Sequence, residues 1–403
     1  MGNSQATPTR SHVPVPSTSK DSGQKNHISS LAGILEEMRR SLGNVKHVLH
    51  VERLDLFRCS LAFLKNEEFN NSPIQVIMST NGQKEDVLNS GGPNREYFSL
   101  LLKEFLRKEL DIFEGHTAGR NLLPTNNEKA LSQKYYYLVG KSIVLSFLNG
   151  GPGFPYLAPC VVSYIKGEEY MDHLNISIVY NTLLRHFIRR INCARKEEEL
   201  LSILEDDSER FVDNCGWPRN EMITMKNRLE LTQILLKWEL IGKRVAALDQ
   251  LRSGLHVLDF LNRAKHMPDF NKILITSNVE KVTAGYLKTH LKKAVMEMKD
   301  VNPSETAAKQ YALVCLKMLT DEEATHLFHF ITGMSELPVE ELPLEVEFNR
   351  TNPKSQLPEA LTCIQCLRIP LGNETQVQFI SSFKTAISLG RYGFSRRESN
   401  SLK

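Results

Sequence analysis

Apolar residues recur three or four positions apart through most of the chain, and this spacing predicts a mainly helical first part. The pattern begins between Ser30 and Leu64, and it returns in a long helix predicted over 91–110 with Pro93 at its first position. A further, buried helix is predicted in the stretch "YYYLVGKSIVLSFLNGGPGFPYLAP", and Gly150, Gly151 and Pro152 end it. Between these helices, "IQVIM" at 74–78 is β-branched and predicts a short strand.

Two later segments each predict one amphipathic helix. Apolar positions from Leu231 to Val245 mark the first, and those from Val282 to Met298 mark the second. Short helices are expected in 172–212, where the pattern is less regular.

The segment "KDVNPSE" at 299–305 predicts a hinge, because Pro303 drives the residue before it out of helical conformation. Two helices are predicted after it, the second ending at Thr332 and Gly333. The strand "LEVEF" follows at 344–348, where apolar side chains alternate, and then comes a segment with two cysteines. A last helix carries an apolar face from Phe379 to Ile387, so this end of the chain predicts a compact α+β unit.

The predicted fold class is therefore α+β, with a large and mainly helical N-terminal lobe hinged to a small α+β C-terminal lobe. The predicted division is a disordered lead over 1–28, the N-terminal lobe over 29–300, the C-terminal lobe over 301–394 and a tail over 395–403. The lead is rich in Ser, Thr, Pro and Asn, and it offers too little apolar surface to offset the entropy lost on ordering.

Composition narrows the possible partners. The chain has 403 residues, and its 50 Lys and Arg nearly balance its 47 Asp and Glu, so its net charge of +3 does not favour nucleic acid as the main partner. The longest apolar stretch, 143–148, is far shorter than the ~20 residues of a membrane-spanning helix. No secretory leader is recognisable, so the seven cysteines are expected to be reduced, in a soluble protein of the cytoplasm, the nucleus or both.

The most informative segment is "LPEALTCIQCLRIP" at 357–370, where Cys363 and Cys366 stand three apart in what otherwise reads as a buried strand. Half of a zinc site is one interpretation, although such a site usually needs a second pair and the chain has a single CxxC. A redox pair normally precedes a helix rather than a strand. The third interpretation, two small core residues, suits Cys366, while for Cys363 the neighbouring sequence adds a fourth, a reactive nucleophile.

Four segments in order resemble the HECT-type ubiquitin ligase domain, and the resemblance spans about 45–394. They are "GGPNREYFSLLLKEF" (91–105), "YYLVGKSIVLSFLNGG" (136–151), "HFITGMSELP" (329–338) and the cysteine segment (357–370). The form "TCxxCLRxP" is most similar to the branch of G2/M-phase-specific ligases. Arg95 and Glu96, within the first segment, are predicted to form an ion pair or a contact between the lobes.

The resemblance implies a ubiquitin-protein transferase that carries ubiquitin as a thioester on Cys363 and passes it to lysines of a substrate. Thr362 and Phe394 match positions that support this chemistry in the family. Ubiquitin, a conjugating enzyme and an unknown protein substrate are the implied partners, whereas cofactors, metals, nucleic acid and membranes are not implied. A cysteine that meets first a donor and then an acceptor also suits a mobile lobe.

The chain departs from the family pattern at three places. Leu361 stands where the family has His, nine residues follow Phe394 instead of very few, and 165–225, where the family builds its groove for the conjugating enzyme, is the least similar part. Two alternatives therefore stand beside an active ligase. One is a catalytically weak HECT-fold module that binds ubiquitin or a conjugating enzyme, and the other is an unrelated helical interaction protein.

Overall fold

The computed structural model describes residues 30–84, 91–116, 120–275, 282–334, 337, 343–362 and 364–390. The α-helices of these residues are α1 (Leu31–Ser41), α2 (Leu56–Lys65), α3 (Gly92–Glu104), α4 (Glu128–Ser132), α5 (Tyr135–Leu148), α6 (Pro159–Lys166), α7 (Thr182–Cys193), α8 (Glu197–Glu205), α9 (Phe211–Asn214), α10 (Arg228–Leu240), α11 (Val245–Leu255), α12 (Phe260–Ala264), α13 (Phe270–Leu274), α14 (Ala284–Glu297), α15 (Pro303–Met318), α16 (Asp321–Thr332) and α17 (Gln376–Gly390). The strands are β1 (His47–Glu52), β2 (Ile74–Thr80), β3 (Gln83–Lys84), β4 (Phe113–His116), β5 (Arg120–Pro124), β6 (Glu345–Phe348), β7 (Glu359–Leu361) and β8 (Cys366–Ile369).

These strands form three small sheets. In the first, β2 pairs with β1 in parallel and with β3 in antiparallel orientation. The second is the β4–β5 hairpin, and in the third β8 lies between β6, which is parallel to it, and β7, which is antiparallel. Small sheets among many helices confirm the predicted α+β class.

The first apolar core runs from Leu31 to Leu274 and is organised around α5. Almost every α5 side chain from Tyr136 to Leu148 is buried, as expected of a helix that is apolar on all sides. This helix crosses α11 where Gly140 faces Gly254, and their lack of side chains allows the two backbones to touch.

The second apolar core runs from Val282 to Ile387 and combines α14 to α17 with the third sheet. Phe379 and Phe383 of α17 are buried in it, as the sequence predicted. Helix α14 packs here together with α15, so the apolar core changes between Leu274 and Val282. The predicted domain boundary at residue 300 stays a prediction, and it separates two helices that share one core.

Two local predictions were wrong. His47–Glu52 forms strand β1, although helical spacing had been predicted through this region. The helix predicted to reach Val245 ends at Leu240, and a turn over 242–244 precedes α11. At that break the buried Arg244 guanidinium donates to the Glu239 carbonyl oxygen, an interaction that helical spacing does not reveal.

Within the described ranges, no helix combines the length and the apolar character that crossing a bilayer requires. The same residues contain no group of three or more His, Cys, Asp or Glu side chains that could hold a metal ion.

Candidate active site at the turn before strand β8

The cysteine segment forms a tight hairpin rather than the continuous strand that the sequence predicted. Leu361 of β7 pairs with Cys366 of β8, and the chain reverses in the residues between them. The amide of Ile364 donates to the carbonyl oxygen of Leu361 over 3.1 Å, and Gln365 has a left-handed φ of 52°. Such a conformation is uncommon for a residue other than glycine, so the turn is locally constrained.

Two of the predicted site residues, Cys363 and Phe394, lie outside the described residues, as do the predicted lead and tail. Thr362 is half-buried at the start of the turn, and Ile364 is 48% exposed. The turn therefore presents an apolar side chain to solvent directly after the position of Cys363. Leu361, which replaces the family's His, is half-buried in β7.

Cys366 is 2% exposed and pairs within the central strand of its sheet. The prediction that it is a small core residue is confirmed. Burial raises the pKa of the Cys160 thiol to about 11 and that of the Cys315 thiol to about 12, because an apolar interior disfavours the thiolate. These three cysteines are poor nucleophiles for a protein substrate.

The carbonyl oxygen of Thr362 accepts two hydrogen bonds. The Gln365 side-chain amide donates to it over 3.2 Å within the turn. The second donor is Nη2 of Arg95, which belongs to α3 of the first core. Arg95 lies 267 positions away in the chain, and its contact joins the two cores directly beside the position of Cys363.

Helix α3, which carries Arg95, is held in the first core by several polar contacts. Asn94 accepts a hydrogen bond from the Val76 amide over 2.9 Å and donates to the Ile74 carbonyl over 2.7 Å, which ties the helix to β2. Glu96 forms an ion pair of 2.7 Å with Arg53, and both side chains are largely buried. An ion pair or a lobe contact was predicted for Arg95 and Glu96; Glu96 pairs with Arg53, and Arg95 makes the contact with Thr362.

The C-terminal end of α16 also lies against α3. Gly333 ends this helix with a φ of 76°, and a Cβ added there would approach the Glu96 Cβ at 3.1 Å. The Thr332 hydroxyl donates to the Phe328 carbonyl over 2.7 Å and accepts from the Met334 amide over 3.1 Å. Thr332 and Gly333 thus end the helix as predicted, and Gly333 allows α16 to approach α3 closely.

His329 lies one turn before the end of α16. Burial lowers its pKa to about 4, and the positive charges of Lys103, Arg53 and His326 act in the same direction. The imidazole is therefore neutral at physiological pH. A histidine within an apolar helix gives no sequence signal of this environment, since Lys103 and Arg53 belong to the other core.

The region that departs most from the family pattern, 165–225, contains α7, α8 and α9, and α10 begins just after it. Several large apolar side chains are exposed in this region and at the start of α10: Tyr180 48%, Leu183 59%, Leu201 49%, Met222 79% and Leu229 58%. Contiguous exposed apolar surface is typical of binding surfaces. No groove residue had been predicted here.

Comparisons with known proteins show what the chain is similar to. The family model "HECT-domain (ubiquitin-transferase)" matches residues 99–396. The G2/M phase-specific E3 ubiquitin-protein ligases of Macaca fascicularis and Homo sapiens are 23% and 24% identical to the chain over 343 and 341 residues, which is 81% of this chain and 44% of each relative. The probable E3 ubiquitin-protein ligase hulA of Neosartorya fischeri is 18% identical over 352 residues, which is 79% of this chain and 40% of that protein.

The chain spans less than half the length of the curated relatives that it matches. Its match to the family model nevertheless covers about three quarters of its own residues, from the second half of α3 through the cysteine segment. The chain belongs to the HECT-domain (ubiquitin-transferase) family.

Proposed function

We propose that this chain is the transferase part of a ubiquitin-protein ligase, which accepts ubiquitin on Cys363 and passes it to lysines of a protein substrate. The observation that carries the proposal is the family match across residues 99–396, because it spans the motif "TCIQC". The hairpin supports it, since the motif's second cysteine is buried in β8 while Ile364, next to the first, is exposed.

The proposed reaction has two balanced steps. The Cys363 thiolate attacks the C-terminal carbonyl carbon of ubiquitin in its thioester with the conjugating enzyme, so a new C–S bond forms and the conjugating enzyme's sulfur leaves as a thiolate. A substrate lysine amine then attacks the same carbon, an isopeptide bond forms, and Cys363 leaves as a thiolate while the amine releases a proton. Neither step needs a metal or a nucleotide on this chain.

We further propose that the conjugating enzyme docks on the exposed apolar side chains of α7, α8 and the loops beside them. Their exposure supports this, because burying them against a partner would be favourable. Leu183→Glu should weaken charging by the conjugating enzyme at least about tenfold, since a carboxylate at such a contact is costly to desolvate. Met296→Glu is a matched control, because Met296 is 58% exposed on α14 of the second core and Leu183 is 59% exposed.

The thioester is tested by charging the chain with activating enzyme, a panel of conjugating enzymes, ubiquitin and ATP, followed by a non-reducing gel. A thiol-sensitive band with one added ubiquitin should appear in the wild type, in Cys366→Ala and in Cys193→Ala, and should be absent from Cys363→Ala. Cys193 is the control for exposure, because it is the exposed one among the described cysteines. A band that survives in Cys363→Ala would contradict the assignment.

The alternative of a HECT-fold binding module without turnover gains no support from the relatives, which are named as ligases. The same gel separates the two ideas, because such a module would bind the charged conjugating enzyme without acquiring ubiquitin. The proposed location in cytoplasm or nucleus stays a prediction.

A further inference from the structure

The side chain of Arg95 extends from α3, in the first core, to the backbone of the second core. Its guanidinium Nη2 donates to the carbonyl oxygen of Thr362, and the residue is 8% exposed. Two glycines with positive φ lie along its path. A Cβ at Gly91 would lie 3.2 Å from its Nη1, and one at Gly150 would lie 3.9 Å from its Cδ. The long side chain therefore reaches the turn through space that side chains at these positions would reduce.

The two hydrogen bonds at the Thr362 carbonyl differ in origin. The bond from Gln365 is internal to the turn and is available wherever the second core lies. The bond from Arg95 exists only when the second core is docked on α3. Because its donor is charged, it is also the stronger kind of hydrogen bond.

We propose that Arg95 is a positioning residue, which fixes the peptide leading into Cys363 while the second core is docked on α3. The inference rests on the proposed function of Cys363. Since a peptide unit is planar, a held Thr362 carbonyl also fixes the plane that ends at the Cα of the next residue. The guanidinium acts through the Thr362 carbonyl, so its proposed effect is on the geometry of the attack.

The docked arrangement points to the second step of the reaction. Loading requires Cys363 to reach the conjugating enzyme, for which the proposed surface is on α7 and α8, whereas the turn here lies on α3. An interaction accelerates only the step in whose transition state it is present. Arg95 therefore serves the discharge of ubiquitin to lysine, and loading does not depend on it to the same degree.

The kinetic test uses wild-type chain and variants that have been charged with ubiquitin and then freed of the donor. Free lysine is added, and the loss of thioester is followed on non-reducing gels. Arg95→Gln should discharge about tenfold more slowly, which corresponds to about 1.4 kcal/mol. Arg95→Lys should recover part of the rate, because it keeps the charge and one suitable donor.

Arg107→Gln is the matched control, because Arg107 lies just beyond the end of α3, is 54% exposed and pairs with Glu104. It should discharge at the wild-type rate. Discharge of Arg95→Gln at the wild-type rate would overturn the proposal. Faster loading or faster discharge of Arg95→Gln would also overturn it, because the contact would then restrain the enzyme.

A second measurement needs no ubiquitin. Hydrogen–deuterium exchange in the uncharged chain should be faster in Arg95→Gln at the peptide 361–369, which contains the Ile364 amide of the turn, and unchanged in Arg107→Gln. Exchange in 92–104 should stay at the wild-type rate, which separates a loosened turn from an unfolded α3. If the wild type fails to load, the proposed function fails while this exchange still tests the contact. If the wild type loads but exchange at the turn is unaltered in Arg95→Gln, the positioning role alone is refuted.

Discussion

The crossing of α5 and α11 provides the most direct test of the fold, through the substitution Gly254→Ala. A Cβ on Gly254 would lie 2.1 Å from the carbonyl oxygen of Tyr137, 2.8 Å from the amide nitrogen of Lys141 and 2.9 Å from the Cα of Gly140. All three are backbone atoms, so no rotamer change can relieve the overlap. The two helices would have to move apart by about 1 Å to restore ordinary van der Waals contact.

The expected loss of stability follows from this required separation of the two helices. Overpacking a core typically costs about 1–3 kcal/mol, and the backbone contact places Gly254→Ala at the upper end of that range. At about 2–4 °C per kcal/mol for a unit of this size, the melting temperature should fall by about 6–12 °C. The loss is large because α5 is the centre of the first core.

Thermal unfolding followed by circular dichroism is the suitable assay, with Gly285→Ala as the matched control. A Cβ at Gly285 would meet only the Thr283 hydroxyl, at an ordinary distance of 3.6 Å. Because Gly285 lies within α14, its replacement by Ala should be neutral or stabilise the chain by up to about 1 kcal/mol. A Gly254→Ala chain that melts within about 2 °C of the wild type would show that these helices are not in backbone contact.

Three further substitutions test the second core and its contact with α3. His329 has a lowered pKa in the folded chain, so the stability of the wild type should fall as pH falls from about 6.5 towards about 4. In His329→Asn, the free energy of unfolding measured with urea should depend less on pH over this range. The hydrogen bond from Arg350 lowers the pKa of Glu305, so the ionised Glu305 stabilises the fold above about pH 4.5, and this stabilisation is lost as pH falls through the lower folded pKa. If the free energy of unfolding falls with acid in Glu305→Gln just as in the wild type, this interpretation is contradicted. Gly91→Ala should slow the discharge of ubiquitin as Arg95→Gln does, and the lysine-discharge assay measures this rate. The new Cβ would lie against the guanidinium of Arg95, and the left-handed φ of 92° is strained for Ala.

Several elements were predictable because their causes are local. Helix α3 has Pro93 in its first turn and α5 ends before Gly150, and both signals act within one helical turn. Strand β2 follows from a run of β-branched residues, and α17 from the spacing of Phe379 and Phe383. Apolar periodicity, caps and breakers depend on neighbours in the chain, so they are visible without a structure.

The elements that were missed depend on distant partners. Strand β1 is short, and its parallel pairing with β2 joins segments more than twenty residues apart. The break after α10 accompanies a buried arginine, Arg244, which also donates to the Pro124 carbonyl 120 positions away. Helix α14 has an apolar face that would suit either core, and its spacing alone does not say which.

The sequence by itself determined the family, the order of the main helices and the motif that identifies Cys363, because each of these is written in contiguous residues. Only the tertiary structure decided that Gly140 and Gly254 join two helices, and that Arg95 reaches Thr362 across 267 positions. These are contacts between elements, and they arise from the packing of complementary surfaces, for which a single sequence carries no local pattern.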